Sequence, residues 1–208
     1  MRSDYEYLDP DYLYTDPQTD VLRNLADIND PNDFLFFESA AVIKRAKELE
    51  LHPIMIRDAK TLLDIHRYLF QDVYSWAGQM RTVEISKQDK PFFLTAYFDN
   101  GFAYIDTLII EYRKIIKTDK TGLAEHLATL LDNINYLHPF REGNGRTQRE
   151  FIRILALEKG YILSLNPSDN LDVYERYMFG TINGDVGMLT TLISDLLIPL
   201  NAHRVSPP

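Results

Sequence analysis

Twelve consecutive residues carry most of the chemistry this chain can offer: His138-Pro139-Phe140-Arg141-Glu142-Gly143-Asn144-Gly145-Arg146-Thr147-Gln148-Arg149. An imidazole is a candidate general base. Gly143 and Gly145 flank Asn144 and can take positive φ at little cost, so successive N–H groups can converge on an anion. Arg146 and Arg149 stand three apart, on one side of a helix, where each guanidinium can fork onto a phosphate oxygen. Glu142 sets a carboxylate beside these cations, and its natural ligand is a divalent cation, Mg2+ first, shared with phosphate oxygens. The set describes a site for a nucleotide di- or triphosphate with Mg2+ and a base beside it. Its rivals lack their residues. No Gly-Lys-Ser/Thr occurs, so there is no P-loop, and Gly143-x-Gly145 has neither the third glycine nor the preceding strand of a dinucleotide fingerprint. His52, His66, His126 and His203 show no zinc spacing, and His66 reads as a hydrogen-bonded structural residue.

The elements around this stretch must aim it. Leu123, Leu127, Leu130, Ile134 and Leu137 mark one face of a helix that ends at His138, because Pro139 disfavours α geometry in the residue before it. A second helix starts near Gly145 or Arg146 and stops before Gly160, so the glycines lie at a helix N-terminus, where the dipole favours anions. Phe140 is expected to anchor the loop in the core. Upstream, residues 33–51 read as a helix capped by Asp33, with Phe34, Phe37, Ala41 and Ile43 on its apolar face. Leu62, Ile65, Leu69, Val73 and Trp76 predict another helix, closing at Gly78. Residues 82–85 and 91–94 are β-prone and flank a polar turn at 86–90, which predicts one hairpin. Helices follow around 105–116, 174–179 and 186–197, the last two joined by the turn Asn183-Gly184-Asp185. The first thirty residues read as an irregular arm with one short helical piece at 21–28. The class is all-α with one hairpin.

Composition narrows the setting. With 208 residues, 45% of them hydrophobic, the chain suits one domain with its own core. Cysteine is absent, which excludes disulfides and thiolate metal sites. Thirty-one acidic residues against 22 basic give a net charge of -9, a poor match to a nucleic-acid backbone. No apolar run reaches the length of a membrane span, and the acidic N-terminus is not a secretory signal of the common type.

The stretch His138-x-Phe140-x-Glu142-Gly143-Asn144-Gly145-Arg146-x-x-Arg149 resembles the full signature of the Fic family. Residues 65–81 are similar to that family's helix leading into its flap, and Asn183-Gly184-Asp185 to its late turn. The resemblance implies a Fic fold, a helical bundle with a β-hairpin flap over the site. It also implies protein adenylyl transfer: AMP moved from Mg-ATP to a Ser, Thr or Tyr hydroxyl of a target protein. By position, His138 would deprotonate that hydroxyl and Glu142 would hold Mg2+. Gly143, Asn144 and Gly145 would hold the α- and β-phosphates, Arg146 the β-phosphate side and Arg149 the γ-phosphate, with Thr147 and Gln148 among the nucleotide-binding residues. Ser86, Lys87, Asp89, Lys90 and Phe93 would form the target-docking flap, to which a target segment adds as a strand. Lys87 would also touch ATP, and Phe92 and Phe93 pack below the flap or wedge the target side chain. Gly145 stands where a phosphorylating branch carries Lys, which favours adenylylation.

The self-inhibitory pattern Ser/Thr-x-x-x-Glu-Gly/Asn of many members is not met by Thr107-x-x-x-Glu111-Tyr112 or Thr121-x-x-x-Glu125-His126. The resemblance is therefore to the class inhibited by a separate small antitoxin protein, which presents a Glu to Arg149. Expected targets include a topoisomerase for a toxin of the bacterial cytoplasm, or a small GTPase for an effector translocated into a host cell. The organisation expected is an arm at 1–13, the Fic domain at 14–200 and a tail or linker at 201–208, with a longer parent protein left open. Each residue alone has a blander reading: a histidine favoured by a helix C-terminus, surface arginines, a first-turn carboxylate, turn glycines. A docking module that binds nucleotide without transfer, or another nucleotidyl or phosphoryl transfer at the same site, are the alternatives.

Overall fold

A computed structural model describes residues 5–87, 90–165 and 170–200. Asp89 of the flap and the tail at 201–208 lie outside them. Seven helices follow one another: α1 (Pro31–Leu51), α2 (Thr61–Phe70), α3 (Phe98–Lys114), α4 (Lys120–Leu137), α5 (Asn144–Glu158), α6 (Leu171–Asn183) and α7 (Val186–Leu196). The strands are short: β1 (Tyr5–Leu8), β2 (Glu84–Lys87), β3 (Lys90–Pro91), β4 (Tyr161–Ile162) and β5 (Ile198–Pro199). The fold is mostly helical, as expected, with a second small antiparallel pair, β4 with β5, beside the flap.

α4 is the central helix. It packs against α3, α5 and α7, and buries Leu123, Leu127, Leu130, Leu131, Ile134 and Leu137. Ala124 and Ala128 are also buried, which lets neighbouring helices approach closely. α5 answers with Phe151, Ile152, Ile154 and Leu155, and α2 lies across α5 and α1. The two helices that bracket the twelve-residue stretch are therefore among the most deeply embedded elements, and their ends cannot drift.

Four local readings are corrected. α1 is capped by Asp30, whose side chain accepts from the Asn32 and Asp33 N–H groups, while Pro31 occupies the first turn and Asp33 falls inside the helix. Ile43, placed on the apolar face, is exposed; the buried positions are Glu38, Val42 and Leu49. α2 ends at Phe70 rather than at Gly78. Residues 71–78 continue as tight turns with i to i+3 bonds (Val73 N–H to Phe70 O, Ala77 N–H to Tyr74 O), whose near-helical period keeps Val73 and Trp76 on the buried side. The piece at 21–28 is not a helix. Its Asn24 side chain bonds to Leu22, and to Ile28 through both N–H and carbonyl, holding a turn, while Leu22 forms an isolated bridge with Thr15.

The flap is more than a hairpin. β2 pairs antiparallel with β3, Ser86 opposite Pro91 and Lys87 opposite Lys90. β1, drawn from the segment expected to be irregular, covers the other edge of β2 with Tyr5 opposite Lys87 and Leu8 opposite Glu84. Ser86, Lys87 and Lys90, read as turn residues, are strand residues.

Candidate active site

α4 ends on His138, which adopts a left-handed backbone (φ 45°) while its N–H still reaches the Ile134 carbonyl. A non-glycine residue rarely sits there, and Pro139 is the reason that it leaves helical geometry. His138 is 6% exposed. Its Nδ1 lies 3.2 Å from the Asn135 carbonyl. A carbonyl only accepts, so Nδ1 carries the proton and Nε2 keeps the lone pair. Phe92 stacks on the ring at 3.8 Å between centroids. Burial first, then the Arg81 and Lys87 charges, lower its pKa to about 3 against the opposing Asn135 hydrogen bond. At neutral pH the imidazole is an uncharged base.

Arg81, which the motif reading passed over, holds this arrangement together. It is fully buried as a side chain. Its Nε donates to the His138 carbonyl (2.8 Å), Nη1 to Val83 O and Nη2 to Phe93 O (both 2.6 Å). Its own N–H donates to Pro139 O. One guanidinium thus joins the histidine to both roots of the flap. Burial lowers its pKa, partly offset by the Glu84 carboxylate, and its guanidinium also lies over the Phe98 ring. No spacing rule marks such a residue; an arginine amid β-prone and apolar neighbours was the one available sign.

The loop from 139 to 143 is fixed from inside. Phe140 is buried, as expected, and stacks on His66 at 3.8 Å. Asn144 grips the Phe140 backbone with both side-chain atoms, Oδ1 to its N–H and Nδ2 to its carbonyl. Gly143 has φ 82°, and a Cβ there would collide with the Phe70 ring. Gly145, expected to share the positive φ, is instead helical, and a Cβ on it would stand 3.3 Å from Arg149 Nη1. Thr147, assigned to the nucleotide, is wholly buried with its hydroxyl on Gly143 O. The side chains of Asn144 and Thr147 therefore build the turn. No side chain caps α5, so its first N–H groups are offered to an anion.

His66 ties this loop to the approach of the flap. Its Nδ1 accepts from the Gly78 N–H (2.8 Å), so Nε2 bears the proton that reaches Glu142 O (3.0 Å). Burial first, then the Arg146 charge, pushes its pKa down to about 3 against that Glu142 bond.

The two arginines part company. Arg149 lies over the Tyr177 ring and lines a cavity of about 400 Å³ together with His138, Gly145 and Gln148. Arg146 turns to α1, where Glu38 takes it at 2.8 Å; Phe70 lies under the guanidinium and Glu142 stands at 3.4 Å. Arg146 and Glu142 line a neighbouring hollow with Glu38 and Tyr74. Both border one groove between α1 and α5, but Arg149 reaches the His138 cavity while the buried carboxylate of Glu38 holds Arg146 toward α1. The His138 cavity is of ordinary size for a small-molecule site. Lys87, Lys90, Pro91 and Phe92 of the flap close one side of it, and Asp132, Met178, Thr181 and Asn183 lie on others. Phe93 is turned away, edge-on to Tyr136, with its N–H on the Tyr136 carbonyl. Ser86 stays within the strand pair, away from the cavity lining.

The residues fit a magnesium nucleotide. Gln148 presents a buried Oε1 with no hydrogen-bond partner among the described residues, an acceptor at the cavity wall. Glu142 has a 39% exposed side chain, and both its partners, the Gly143 N–H and Arg146, fall on Oε1. Its Oε2 is a hard oxygen donor one residue from the α5 N-terminus. No cluster of three or more histidine or acidic side chains suited to a metal occurs among the described residues. A cation there would draw its other ligands from phosphate oxygens and water, the usual habit of Mg2+.

Fold and site together define a mostly helical protein with a buried histidine at one helix end and an uncapped helix N-terminus at the start of the next. Comparison with known proteins gives the class a family. The family model described as Fic/DOC family matches residues 57–156. The chain is 36% identical over 183 residues to the probable protein adenylyltransferase Fic of Escherichia coli (strain K12), covering 87% of each. It is 32% identical over 192 residues to the protein adenylyltransferase VbhT of Bartonella schoenbuchensis, covering 92% of this chain and 40% of that longer one. The fold of the BepC effector protein of Bartonella tribocorum, solved with bound AMPPNP, superposes with a TM-score of 0.77 at 22% identity, covering 90% of this chain and 97% of the other. The chain belongs to the Fic/DOC family. Among the described residues no helix is long and apolar enough to cross a membrane.

Proposed function

We propose that this protein adenylyltransferase moves AMP from Mg-ATP to a Ser, Thr or Tyr hydroxyl of a target protein, with His138 as the base. The observation that carries the reading is the fixed tautomer of His138. Nδ1–H is spent on Asn135 O, which puts the lone pair on Nε2 and supports the reading of that nitrogen as the base. In the step, the hydroxyl oxygen bonds the α-phosphorus, the bond from that phosphorus to the bridging oxygen breaks, pyrophosphate leaves and the hydroxyl proton passes to Nε2. The α5 N–H groups and Arg149 hold the phosphates, and Glu142 Oε2 is the protein ligand for Mg2+. When bound, Mg2+ supplies charge neutralisation on the phosphate oxygens. Labelled ATP incubated with bacterial and eukaryotic lysates tests the reading. A labelled protein band is expected, lost on His138→Ala. Transfer that persists in that variant overturns the assignment of the base, and nucleotide binding without any transfer favours a docking module.

The same reading includes a small antitoxin that presents a glutamate to Arg149, and a role as a cytoplasmic bacterial toxin or, alternatively, as an effector delivered to a host. Support for the partner comes from Arg149 itself. Besides the His138 cavity it borders a groove in which Val42, Ala46, Leu69 and Leu163 lie among charged residues, Arg146, Arg153, Glu50 and Glu150. A partner co-purifying with this chain and suppressing transfer is the expected result; full inactivity of the isolated chain would sink the idea. Target docking along the flap edge has a constraint. Pro91 brings no N–H to the β3 edge, the Phe93 N–H is already spent on Tyr136 O, and β1 covers the β2 edge. An added target strand must therefore take the place of β1.

A further inference from the structure

Arg146 sits between two carboxylates of unequal reach. Glu38 holds it at 2.8 Å and Glu142 stands at 3.4 Å. Glu38 is itself buried and pinned, for the Tyr74 hydroxyl donates to the same Oε1 at 2.8 Å. α1 thus contributes a fixed anion to the motif loop from more than a hundred residues away in sequence. Its position decides which carboxylate owns the guanidinium. Were Glu38 uncharged, Arg146 would have one anionic neighbour left, Glu142, four residues earlier and already close enough for an i,i+4 ion pair. A carboxylate claimed by a guanidinium competes poorly for a divalent cation.

We propose that Glu38 is a positioning residue for metal binding: by holding Arg146 against α1, it limits the guanidinium to the longer contact with Glu142 Oε1 and leaves Oε2 open to Mg2+. The inference rests on the reading of Glu142 as the Mg2+ ligand. It assigns Arg146 to the control of Glu142, while phosphate contact falls to the α5 N–H groups and Arg149.

Calorimetric titration of ATP, in EDTA and at rising Mg2+, reads this directly. Glu38→Gln keeps the shape and removes the charge. The half-saturating Mg2+ concentration is expected to rise about five-fold, the worth of an ion pair at the upper end for exposed sites. ATP affinity in EDTA is expected to stay level or increase, because the loop has become more positive. A merely structural role for Glu38 would weaken both together, and that outcome overturns the proposal, as does an unmoved Mg2+ midpoint. The double variant Glu38→Gln/Arg146→Gln removes the competing guanidinium and leaves no buried unpaired charge, so it serves even where the single variant folds poorly. Its midpoint is expected within two-fold of the parent; a midpoint as high as that of Glu38→Gln alone overturns the mechanism. Glu142→Gln separates the two layers. Mg2+ dependence that survives it sinks both readings. Dependence lost there, with no shift in Glu38→Gln, sinks this inference alone.

Discussion

Replacing His66 by phenylalanine separates the ring of this residue from its two hydrogen bonds. The ring lies in a stack with Phe70 and Phe140, and phenylalanine keeps that packing. What disappears is the acceptor for the Gly78 N–H and the donor to the Glu142 carbonyl. A buried backbone group left without a partner costs ~1–3 kcal/mol, so for two such groups the loss at pH 7.5 is about 2–6 kcal/mol. The loss must shrink in acid. Burial lowers the His66 pKa from 6.5 to about 3, so the folded state keeps the ring neutral while the unfolded chain takes up a proton. For such a group the stability is full above 6.5 and is lost as the pH falls toward the folded value. At pH 5 the native protein forfeits ~2 kcal/mol on this account, from ~1.4 kcal/mol per pH unit below 6.5. The phenylalanine variant has no such term. Urea unfolding at pH 7.5 and at pH 5 should therefore show the gap between the two proteins narrowing by about 2 kcal/mol. A gap that is equal at both pH values, or wider in acid, would refute the assignment of His66 as a buried neutral bridge.

Further outcomes follow from the site. Gly143→Ala meets both a left-handed backbone and the Phe70 ring, and is expected to cost about 2–5 kcal/mol in urea unfolding; a neutral result would mean that the turn is not held as described. Arg81→Met leaves three carbonyls without their donor and should cost about 3 kcal/mol or more, with faster amide exchange at the strands of the flap; unchanged exchange at 84–87 would contradict its role. Because His138 titrates far below its usual value, the acid limb of kcat owed to the base should lie below pH 5, and a limb near 6.5 in the rate profile would count against it. Arg149→Ala should lower ATP affinity about ten-fold or more by loss of a charge-assisted contact, measured by calorimetry; an unchanged Kd would remove it from the phosphate site.

The geometry of the twelve-residue stretch was legible because it is local. The break between α4 and α5 follows from Pro139, Gly143 and the apolar spacing on either side, and the residues proposed as base, metal ligand and anion site all sit within it. Less was legible where a distant residue decides. Nothing near Arg146 foretells that Glu38, on α1, holds it away from the His138 cavity. Nor does the motif show that the side chains of Asn144 and Thr147, placed at the nucleotide by resemblance, bond backbone groups of their own loop. Trp76 kept helical spacing beyond the end of α2 because tight turns share nearly the same period. The strand at Tyr5–Leu8 was invisible for a different reason: its partner lies some eighty residues away and its own pattern is too short to declare a strand.

The buried fork of Arg81 has a consequence for how such a protein can diversify. It clamps both stems of the hairpin to the carbonyl of His138. Everything beyond those stems hangs on a rigid mount. The hairpin is still not insulated from His138, for the Lys87 charge and the Phe92 ring both bear on it. A change of client recognition that spares those two positions leaves the histidine's surroundings as they are, while the guanidinium keeps the stems in place.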